Sequence, residues 1–310
     1  EINFENRQAV VDRIDYAIGP HEGYFTGTFN YDFDAHGIAS NLNAALKAQK
    51  LLFQFSEDEV FNPDKLSIDF HLDLFNEKLD LQKVAFETGG GVFQIGGNLD
   101  FGNPEIPLNV DGFIERLPIE GVKKIWPSGL VPKARKWFVQ NINEGVITNG
   151  TLKMETSAAE LRSSRREKFL RNEAVDLQVE LEGSSLRYIS KMPEMQNVKA
   201  SFHLRGNSFE VLVHQALIDL PDKDQIILSN SRYFEPDFNI RGNNVNIRLV
   251  LDGQVNTLIN LFARPQIGFK QANFIGDYKF EGQGRMALSL AMPVSSKVSH
   301  STRPTTRGLD

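Results

Sequence analysis

The acidic and histidine side chains with the best spacing for chemistry fall into two short groups. The sequence places them in DFDAHG and SIDFHLD: Asp32, Asp34 and His36 in the first, and Asp69, His71 and Asp73 in the second. Carboxylates and imidazoles so close together could bind a metal ion or act as an acid and base pair. In each group, however, acidic residues alternate with apolar ones, which is typical of the solvent side of an amphipathic strand. We therefore expect no catalytic residue, no metal site and no cofactor.

Sequence motifs of well-known catalytic mechanisms do not occur in the chain. There is no GxxxxGK[ST], GxSxG or HExxH pattern, and the glycines at 89–91 and 96–97 are better explained as turn or bulge residues. There is no cysteine, which excludes disulfides, thiolate metal sites and cysteine nucleophiles. The sequence predicts a protein that is not an enzyme, with a carbohydrate-active enzyme using Asp32 and Asp34 as a weak alternative.

The densest group of basic residues lies in SAAELRSSRREKFLRN, residues 157–172. It consists of Arg162, Arg165, Arg166, Lys168 and Arg171. A solvated loop and a contact with anionic lipid head groups are both consistent with this composition. The whole chain has 34 Lys and Arg against 40 Asp and Glu, a net charge of −6. No basic field is available for nucleic acid, which is therefore not an expected partner.

Most of the chain is predicted to form antiparallel β-strands, because apolar and polar residues alternate over short segments separated by turns. The clearest segment is 65–74, where every second residue from Leu66 to Leu74 is apolar. Segment 41–55 fits the periods of a strand and of a helix equally, and both remain open. The fold class that follows is mainly β: an elongated, curved antiparallel sheet of the β-groove type with a few short amphipathic helices.

Three short helices interrupt the predicted strands. They cover residues 118–125, residues 132–141, and a segment capped by Asp252 and Gly253 whose apolar residues recur at helical spacing: Val255, Leu258, Ile259 and Phe262. Strands followed by a helix and another strand occur twice. This order predicts a first β-groove unit at 1–157, a basic connecting loop at 158–174, a second unit at 175–293, and a disordered tail or truncation edge at 294–310.

The apolar sides of the strands either form an ordinary core or line a groove for lipid. The chain has 23 Phe against 6 Tyr and 2 Trp, which favours a surface that needs no hydrogen-bond partner. The groove candidates of the first unit are Phe25, Phe29, Phe33, Leu66, Ile68, Phe70, Leu72, Leu74, Phe93 and Ile95. Those of the second unit are Val175, Leu177, Val179, Leu181, Val211, Val213, Val245, Ile247, Leu249 and Leu251.

The stretch 125–154, IWPSGLVPKARKWFVQNINEGVITNGTLKM, resembles the central region of the AsmA-like superfamily, in particular its YhdP-type envelope proteins. Members carry W-P, then P-x-x-R-x-W, then N-I-x-x-G-x-V/I. The matching positions here are Trp126, Pro127, Pro132, Arg135, Trp137, Asn141, Ile142 and Gly145. A looser resemblance covers Val175–Phe269, and together the matches span about residues 60–290.

This resemblance implies the periplasmic part of an inner-membrane-anchored protein of Gram-negative bacteria. Such proteins are thought to form a long sheet with an apolar concave face and to help phospholipids reach the outer membrane. The chain starts at Glu1 and has no run of about 18 apolar residues, so we expect an internal fragment whose membrane anchor lies outside it. Phospholipid, membrane and other envelope proteins are the expected partners.

A groove for acyl chains also has a physical rationale that is independent of the family. Exposing an acyl chain of ~16 carbons to water costs about 0.8 kcal/mol of free energy per CH₂, roughly 13 kcal/mol in all. An apolar trough would remove most of this barrier to transfer. The alternative is a structural or assembly factor of the outer membrane with a closed β core and helices that dock partners. In either case, we expect the helix at 132–141 to lay Trp137 and Phe138 against the sheet as an architectural element.

Overall fold

The computed structural model describes residues 2–3, 7–18, 21–56, 59–126, 132–167, 171–187, 192–220, 224–237, 240, 242–262 and 280–293. The fold is mainly β, its strands pair antiparallel in an open sheet, and its helices are short, so the predicted fold class is confirmed. The predicted tail at 294–310 lies outside the described residues. The helices are α1 Ile119–Ile125, α2 Pro132–Asn141, α3 Ala158–Glu167 and α4 Val255–Phe262.

Seventeen strands make up the rest of the described regular structure. They are β1 Ile2–Asn3, β2 Gln8–Ile18, β3 His21–Phe33, β4 Ala39–Ser56, β5 Glu59–Phe61, β6 Lys65–Asp73, β7 Lys78–Thr88, β8 Gly91–Asp100, β9 Pro107–Pro118, β10 Ile142–Asn143, β11 Val146–Ser157, β12 Val175–Leu186, β13 Met195–Arg205, β14 Ser208–Asp219, β15 Gln225–Glu235, β16 Asn244–Gln254 and β17 Gln283–Pro293.

The contacts divide the chain into two units. Unit 1 comprises Glu1–Gln140, Val146–Glu180 and Leu204–Gly206, and unit 2 comprises Asn141–Gly145, Leu181–His203 and Asn207–Asp310. The division falls within β12, further along the chain than the predicted connecting loop at 158–174. That segment is also not simply a loop, because it contains α3.

Helix α3 begins with a serine cap, which is why a polar, basic segment forms a helix here. The backbone N–H of Glu160 donates to Ser157 Oγ at 3.1 Å, so that Ser157 satisfies one of the unpaired donors of the first turn. The spacing of Ser157 and Glu160 is the sequence signal that predicts such a start. Our loop assignment overlooked it because the segment has no apolar periodicity.

Unit 1 is an antiparallel meander in which each strand pairs with its neighbours along the chain. The order is β1–β2–β3–β4–β6–β7–β8–β9–β11, and β5 pairs with the end of β4. Segment 41–55, which fits both periods, belongs to the 18-residue strand β4. Its register brings Leu46 opposite Ile68, so the apolar side of β4 continues that of β6.

Directly paired residues lie on the same side of a sheet, and the registers of unit 1 therefore define one continuous surface, which we call the unit 1 face. Its four rows, starting at the end nearest α1, are Phe25, Ala48, Leu66, Phe86, Phe93, Ile114 and Gly150; Gly27, Leu46, Ile68, Val84, Ile95, Gly112 and Leu152; Phe29, Ala44, Phe70, Leu81, Gly97, Val110 and Met154; and Tyr31, Leu42, Leu72, Leu79, Leu99, Leu108 and Thr156. Nearly all of these side chains are apolar.

Unit 2 contains a second meander, β14–β15–β16–β17, and the short pairing of β10 with β12. Its apolar side, the unit 2 face, consists of Val211, Val213, Ala216, Ile218, Ile226, Leu228, Tyr233, Val245, Ile247, Leu249, Leu251, Met286, Leu288 and Leu290. A bulge between Leu228 and Arg232 shifts the alternation of β15 by one residue. The same side of the sheet therefore continues through Ser231, Tyr233 and Glu235.

Helix α4 follows β16 directly. The predicted cap is wrong, because Asp252 and Gly253 still belong to β16 and the helix begins at Val255. The predicted apolar spacing is correct: Leu258, Ile259 and Phe262 are all buried, together with Thr257 and Leu261. A side chain set of this kind can pack on a sheet without leaving polar groups unpaired.

Candidate functional site

In each of the two acidic groups of the sequence, one carboxylate stabilises a turn by accepting hydrogen bonds. Asp34 Oδ1 accepts hydrogen bonds from the backbone N–H groups of His36 and Ile38, each at 2.8 Å, and these bonds lower the pKa of the Asp34 carboxyl, the bond from Ile38 most. Asp73 accepts bonds from the side chain and backbone of Asn76, which lower its pKa in the same way. Ionised carboxylates that fasten turns have a structural role.

The remaining members of these groups do not converge. Asp32 lies 3.5 Å from the guanidinium of Arg7, and His71 Nδ1 lies 2.9 Å from Asn43 Oδ1. No group of three or more His, Asp or Glu residues in the described part of the chain is arranged to hold a metal ion. A serine and histidine pair, Ser201 and His214, was not noticed in the sequence.

The hydroxyl of Ser201 and Nε2 of His214 share a hydrogen bond. Ala200 and Val213, their chain neighbours, are buried, so the pair lies on the side of the sheet away from the apolar core, where His214 is exposed. An activated nucleophile needs a base that a third group orients, within a site that excludes water. An exposed pair on a strand surface supplies a surface hydrogen bond.

The unit 1 face differs from an ordinary core in its exposure. Near α1, Ala48, Leu51, Leu66 and Leu117 are buried, and Ile119 of α1 is buried with them. Further along the strands the larger side chains, such as Leu46, Phe70, Leu81 and Leu99, are only half-buried. The face is therefore closed at the end near α1 and accessible along most of its length.

The turns at the opposite end of unit 1 carry exposed apolar side chains. They are Phe33, Ile38, Leu74, Phe75 and Phe101, with exposed fractions between 43% and 60%. Backbone hydrogen bonds from Leu74 to Ser40 and from Phe101 to Glu77 join these turns side by side. We call this set the apolar tips. Exposed aromatic and aliphatic residues that gather in neighbouring turns are more typical of contact sites than of the rest of a protein surface.

In unit 2, α4 covers part of the face. Leu258, Leu261 and Phe262 form a buried cluster with Ile226, Leu228 and Leu251 of the strands. Farther from α4, Val211, Phe202 and Leu249 are only partly buried against that cluster. Unit 2 thus has a filled core beside the helix and a less buried apolar surface beyond it.

The sequence-predicted groove residues fall on these two faces. Phe25, Phe29, Leu66, Ile68, Phe70, Leu72, Phe93 and Ile95 share the unit 1 face, while Phe33 and Leu74 belong to the apolar tips. Val211, Val213, Val245, Ile247, Leu249 and Leu251 share the unit 2 face. Of the β12 candidates, Val175, Leu177 and Val179 belong to unit 1, where Val179 packs near Gly150, and the buried Leu181 belongs to unit 2.

The motif that carries the family resemblance has an architectural role. Arg135 of α2 donates from Nε to the carbonyl of Trp126, at 2.7 Å, and from Nη2 to that of Lys123, at 3.4 Å, so it satisfies carbonyls at the end of α1. The rings of Trp126 and Phe138 lie 5.5 Å apart. Trp137 is 43% exposed, and Phe138 makes the aromatic contact with Trp126, the residue that follows α1.

The other motif positions are proline and glycine. Pro132 is the first residue of α2, where its missing N–H leaves no bond unmade. Gly145 has a φ of +82°, and a Cβ there would lie 2.2 Å from Ser184 Oγ, so a larger residue does not fit. Pro127 lies outside the described residues.

One residue of the basic cluster, Arg171, makes a structural contact. Arg171 binds both carboxylate oxygens of Glu160, at 3.0 and 2.9 Å, and the carbonyl of Glu155. It therefore fastens the segment after α3 to β11, and its charge is paired with that of Glu160. Arg162 is exposed, and the side chains of Arg165, Arg166 and Lys168 lie outside the described residues.

One polar residue on the unit 2 face was missed by sequence reasoning. Glu235 lies directly opposite Phe209 on the apolar side of the sheet, and Tyr233 donates a hydrogen bond to its Oε2 at 3.0 Å. Burial, followed by the charge of Glu235, raises the pKa of Tyr233. Counting by two from Ile226 places Glu235 on the solvent side, because a sequence pattern does not reveal the bulge.

Comparisons of the chain with protein-family models, with curated proteins and with solved structures find no match. No helix in the described part of the chain is long and apolar enough to cross a membrane. The AsmA-like resemblance thus stays an expectation drawn from the sequence motif.

Proposed function

We propose that the chain is a non-enzymatic segment of a bacterial envelope protein that binds phospholipid acyl chains on an apolar β surface and helps phospholipid move between the inner and outer membranes. The observation that carries this proposal is the unit 1 face. Its four rows of apolar side chains are in register across neighbouring strands, and most of the larger ones are only half-buried.

The size of the unit 1 face suits an acyl chain. Strands lie about 4.8 Å apart, so the seven strands from β3 to β11 that supply the rows extend over roughly 30 Å. The hydrocarbon core of a bilayer is also ~30 Å thick, so one acyl chain spans about half of that distance. A single chain could therefore lie across several strands and keep apolar contact along its length.

The apolar tips indicate the end of unit 1 at which lipid would enter and leave. They lie at the end of unit 1 away from α1, where the rows of the face reach Tyr31, Leu72 and Leu99. The end near α1 is closed by buried residues, among them Leu117 and Ile119. In the proposed function, lipid enters and leaves at the tip end, where exposed apolar groups shield an acyl chain from water.

Site-specific photocrosslinking tests acyl-chain binding. A crosslinking residue at Ile68 on the unit 1 face should capture phospholipid, whereas one at Asp69, the next residue on the opposite side of β6, should not. Native mass spectrometry of the purified chain should find the same phospholipid bound. Ile68→Asp should remove crosslinking from a reporter at Leu46, which faces Ile68, while the circular dichroism spectrum is retained. Equal capture at Ile68 and Asp69, or none at either, would contradict acyl-chain binding.

The proposal also includes a cellular setting. It rests on the resemblance of residues 125–154 to AsmA-like envelope proteins, which implies a periplasmic position and a membrane anchor outside this chain. Fractionation of a Gram-negative bacterium that produces the natural parent protein should place this region on the periplasmic side, accessible to protease only after the outer membrane is opened. Cleavage only from the cytoplasmic side would overturn this assignment.

A structural or assembly factor is the second candidate, and the core of unit 2 favours it. There, α4 buries Leu258, Leu261 and Phe262 against the strands, as expected for a closed core. The two functions differ at the unit 1 face. If the chain acts only by docking partners, Ile68→Asp should weaken complex formation or folding, and a crosslinker at Ile68 should capture protein instead of lipid.

A further inference from the structure

Glu235 is a carboxylate on an otherwise apolar surface. Its direct neighbours across the sheet are Phe209 on β14 and Val245 on β16, because Phe234 pairs with Asn246. Val245 is buried, and Glu235 itself is half-buried. A charge in such surroundings is costly unless it is paired, so its position on this face calls for a partner.

Aromatic rings lie beside the carboxylate. Tyr233 donates its hydroxyl to Glu235 Oε2 at 3.0 Å, and the ring of Phe209 lies edge-on to that of Tyr233, with centroids 6.2 Å apart. Phe202 extends the group, 6.3 Å from Phe209. Glu235 therefore stands at one corner of an aromatic cluster on the unit 2 face.

Two other acidic residues of unit 2 have arginine partners. On the opposite side of the sheet, Glu210 pairs with Arg232, and Asp252 pairs with Arg285 at 2.7 Å. Among the described residues, no cationic side chain contacts Glu235, whose carboxylate receives the Tyr233 hydroxyl. A neutral hydrogen bond does not balance a negative charge, so within the described ranges the carboxylate of Glu235 has no cationic partner.

A carboxylate next to aromatic rings on a half-buried surface is the chemistry that recognises an ammonium group. Aromatic faces attract cations, more strongly when water is excluded, and a carboxylate supplies the opposite charge. A divalent metal ion would need several oxygen ligands, and Glu235 offers one carboxylate. A phosphate would be repelled by it.

We propose that Glu235, with the rings of Tyr233 and Phe209, forms a subsite for the ammonium group of a phospholipid head group. This inference rests on the proposed lipid-binding function and deepens it, since it selects amine-bearing phospholipids over those with uncharged head groups. The acyl chains then lie along Val211, Ile247 and Leu249, on the same face.

Binding of short-chain phospholipids, which stay monomeric in solution, tests the head-group preference. Dihexanoyl phosphatidylethanolamine and dihexanoyl phosphatidylglycerol have the same acyl chains, and isothermal titration of the full 310-residue chain should show about tenfold tighter binding of the ethanolamine lipid. Glu235→Gln keeps an acceptor for Tyr233 and removes the charge. This substitution should reduce the ratio of the two binding affinities to near one without weakening the binding of the glycerol lipid.

Matched variants separate the subsite from general effects. Glu210→Gln removes a carboxylate from the opposite side of the adjacent strand and should leave the preference intact. Phe209→Leu keeps apolar area but removes a ring, and should lower the preference about threefold. Equal binding of the two lipids by the wild type, or an unchanged preference in Glu235→Gln, would overturn the subsite. Absence of binding by either lipid would also overturn it, and crosslinking at Ile68 then decides the proposed function separately.

Discussion

The unit 1 face and the unit 2 face show how one sequence pattern leads to different surfaces. Both consist of alternating apolar residues on an antiparallel meander, and a short helix directly follows one strand of each: α1 follows β9 and α4 follows β16. Yet α4 buries Thr257, Leu258, Ile259, Leu261 and Phe262, whereas among the described side chains of α1 only Ile119 and Gly121 are buried. The alternation determines which residues share a side, and the residues of the covering helix determine whether that side becomes a core.

The contrast also separates stability from function. Burial of apolar area stabilises a fold, so the filled core beside α4 is expected to contribute much of the stability of unit 2. The half-buried residues of the unit 1 face stabilise less and keep apolar area available for a ligand. In the proposed function, the helix-covered part of the sheet stabilises the fold and the half-buried unit 1 face binds the lipid.

The largest predicted effect comes from placing the same charge on each face. Leu258 is 2% exposed, so Leu258→Asp should cost on the order of 4 kcal/mol or more and unfold unit 2. Ile68→Asp on the half-buried unit 1 face should cost about 1–2 kcal/mol. Hydrogen exchange measured by mass spectrometry should show loss of protection in unit 2 peptides for the first variant. Similar unfolding of unit 1 by Ile68→Asp would remove the difference between the faces.

A second prediction concerns the backbone of the unit 1 face. A Cβ on Gly27 would lie 2.1 Å from the carbonyl oxygen of Ala45, so Gly27→Ala must push β3 and β4 apart. We expect a loss of stability of about 2–3 kcal/mol in urea denaturation. Gly37→Ala is the matched control, because nothing lies within 4 Å and only its φ of +79° is strained. It should cost about 1 kcal/mol. Equal costs would show that strand spacing does not depend on Gly27.

A third prediction tests the closed end of unit 1. Arg135→Ala removes the hydrogen bonds to the carbonyls of Trp126 and Lys123 and should cost about 1–2 kcal/mol. Amides of α1 should then exchange faster, while those of unit 2 remain unchanged. Lys136→Ala, at an exposed position of the same helix, should have almost no effect. Matching effects from the two variants would show that Arg135 does not hold α1.

The smallest effect is a pH dependence near the apolar tips. Hydrogen bonds from Arg171, and more weakly from Thr156, lower the pKa of Glu160 below its ordinary value of 4.5. The stability that Glu160 contributes is therefore complete above pH 4.5 and is lost as the pH falls through the lower folded value. Glu160→Gln should be less stable than the wild type at neutral pH, and the difference in urea midpoint should shrink in acid. A constant difference would exclude this linkage.

Much of the fold follows from sequence periodicity alone. Strict alternation of apolar and polar residues identified the side of β6 that belongs to the unit 1 face. The helical spacing of apolar residues identified α4. Segment 41–55 was undecidable because its apolar residues satisfy both periods. It is a strand because β3 and β6 provide hydrogen-bond partners on either side, in a register that matches Leu46 with Ile68, and this information lies outside the segment.

The candidate site is less accessible to sequence reasoning, for reasons of geometry. A bulge moves every later residue of a strand to the other side, so Glu235 could not be assigned to a face before the register of β15 was known. Exposure is equally hidden, because Ile68 and Leu228 have similar alternating neighbours yet differ in whether a helix lies above them. The serine cap at Ser157, three residues before Glu160, was readable, and identifying it predicts α3.

Pairing of neighbouring strands in unit 1 also bears on how the protein folds and how it can change in length. A strand of such a meander can be added to the strand that precedes it in the chain, which favours stepwise addition of strands. Each hairpin added to or removed from such a meander changes the width of the sheet by roughly 10 Å and leaves the register of the other strands intact. The extent of the apolar surface is therefore set by strand number, and variation in length can adjust it without a new fold.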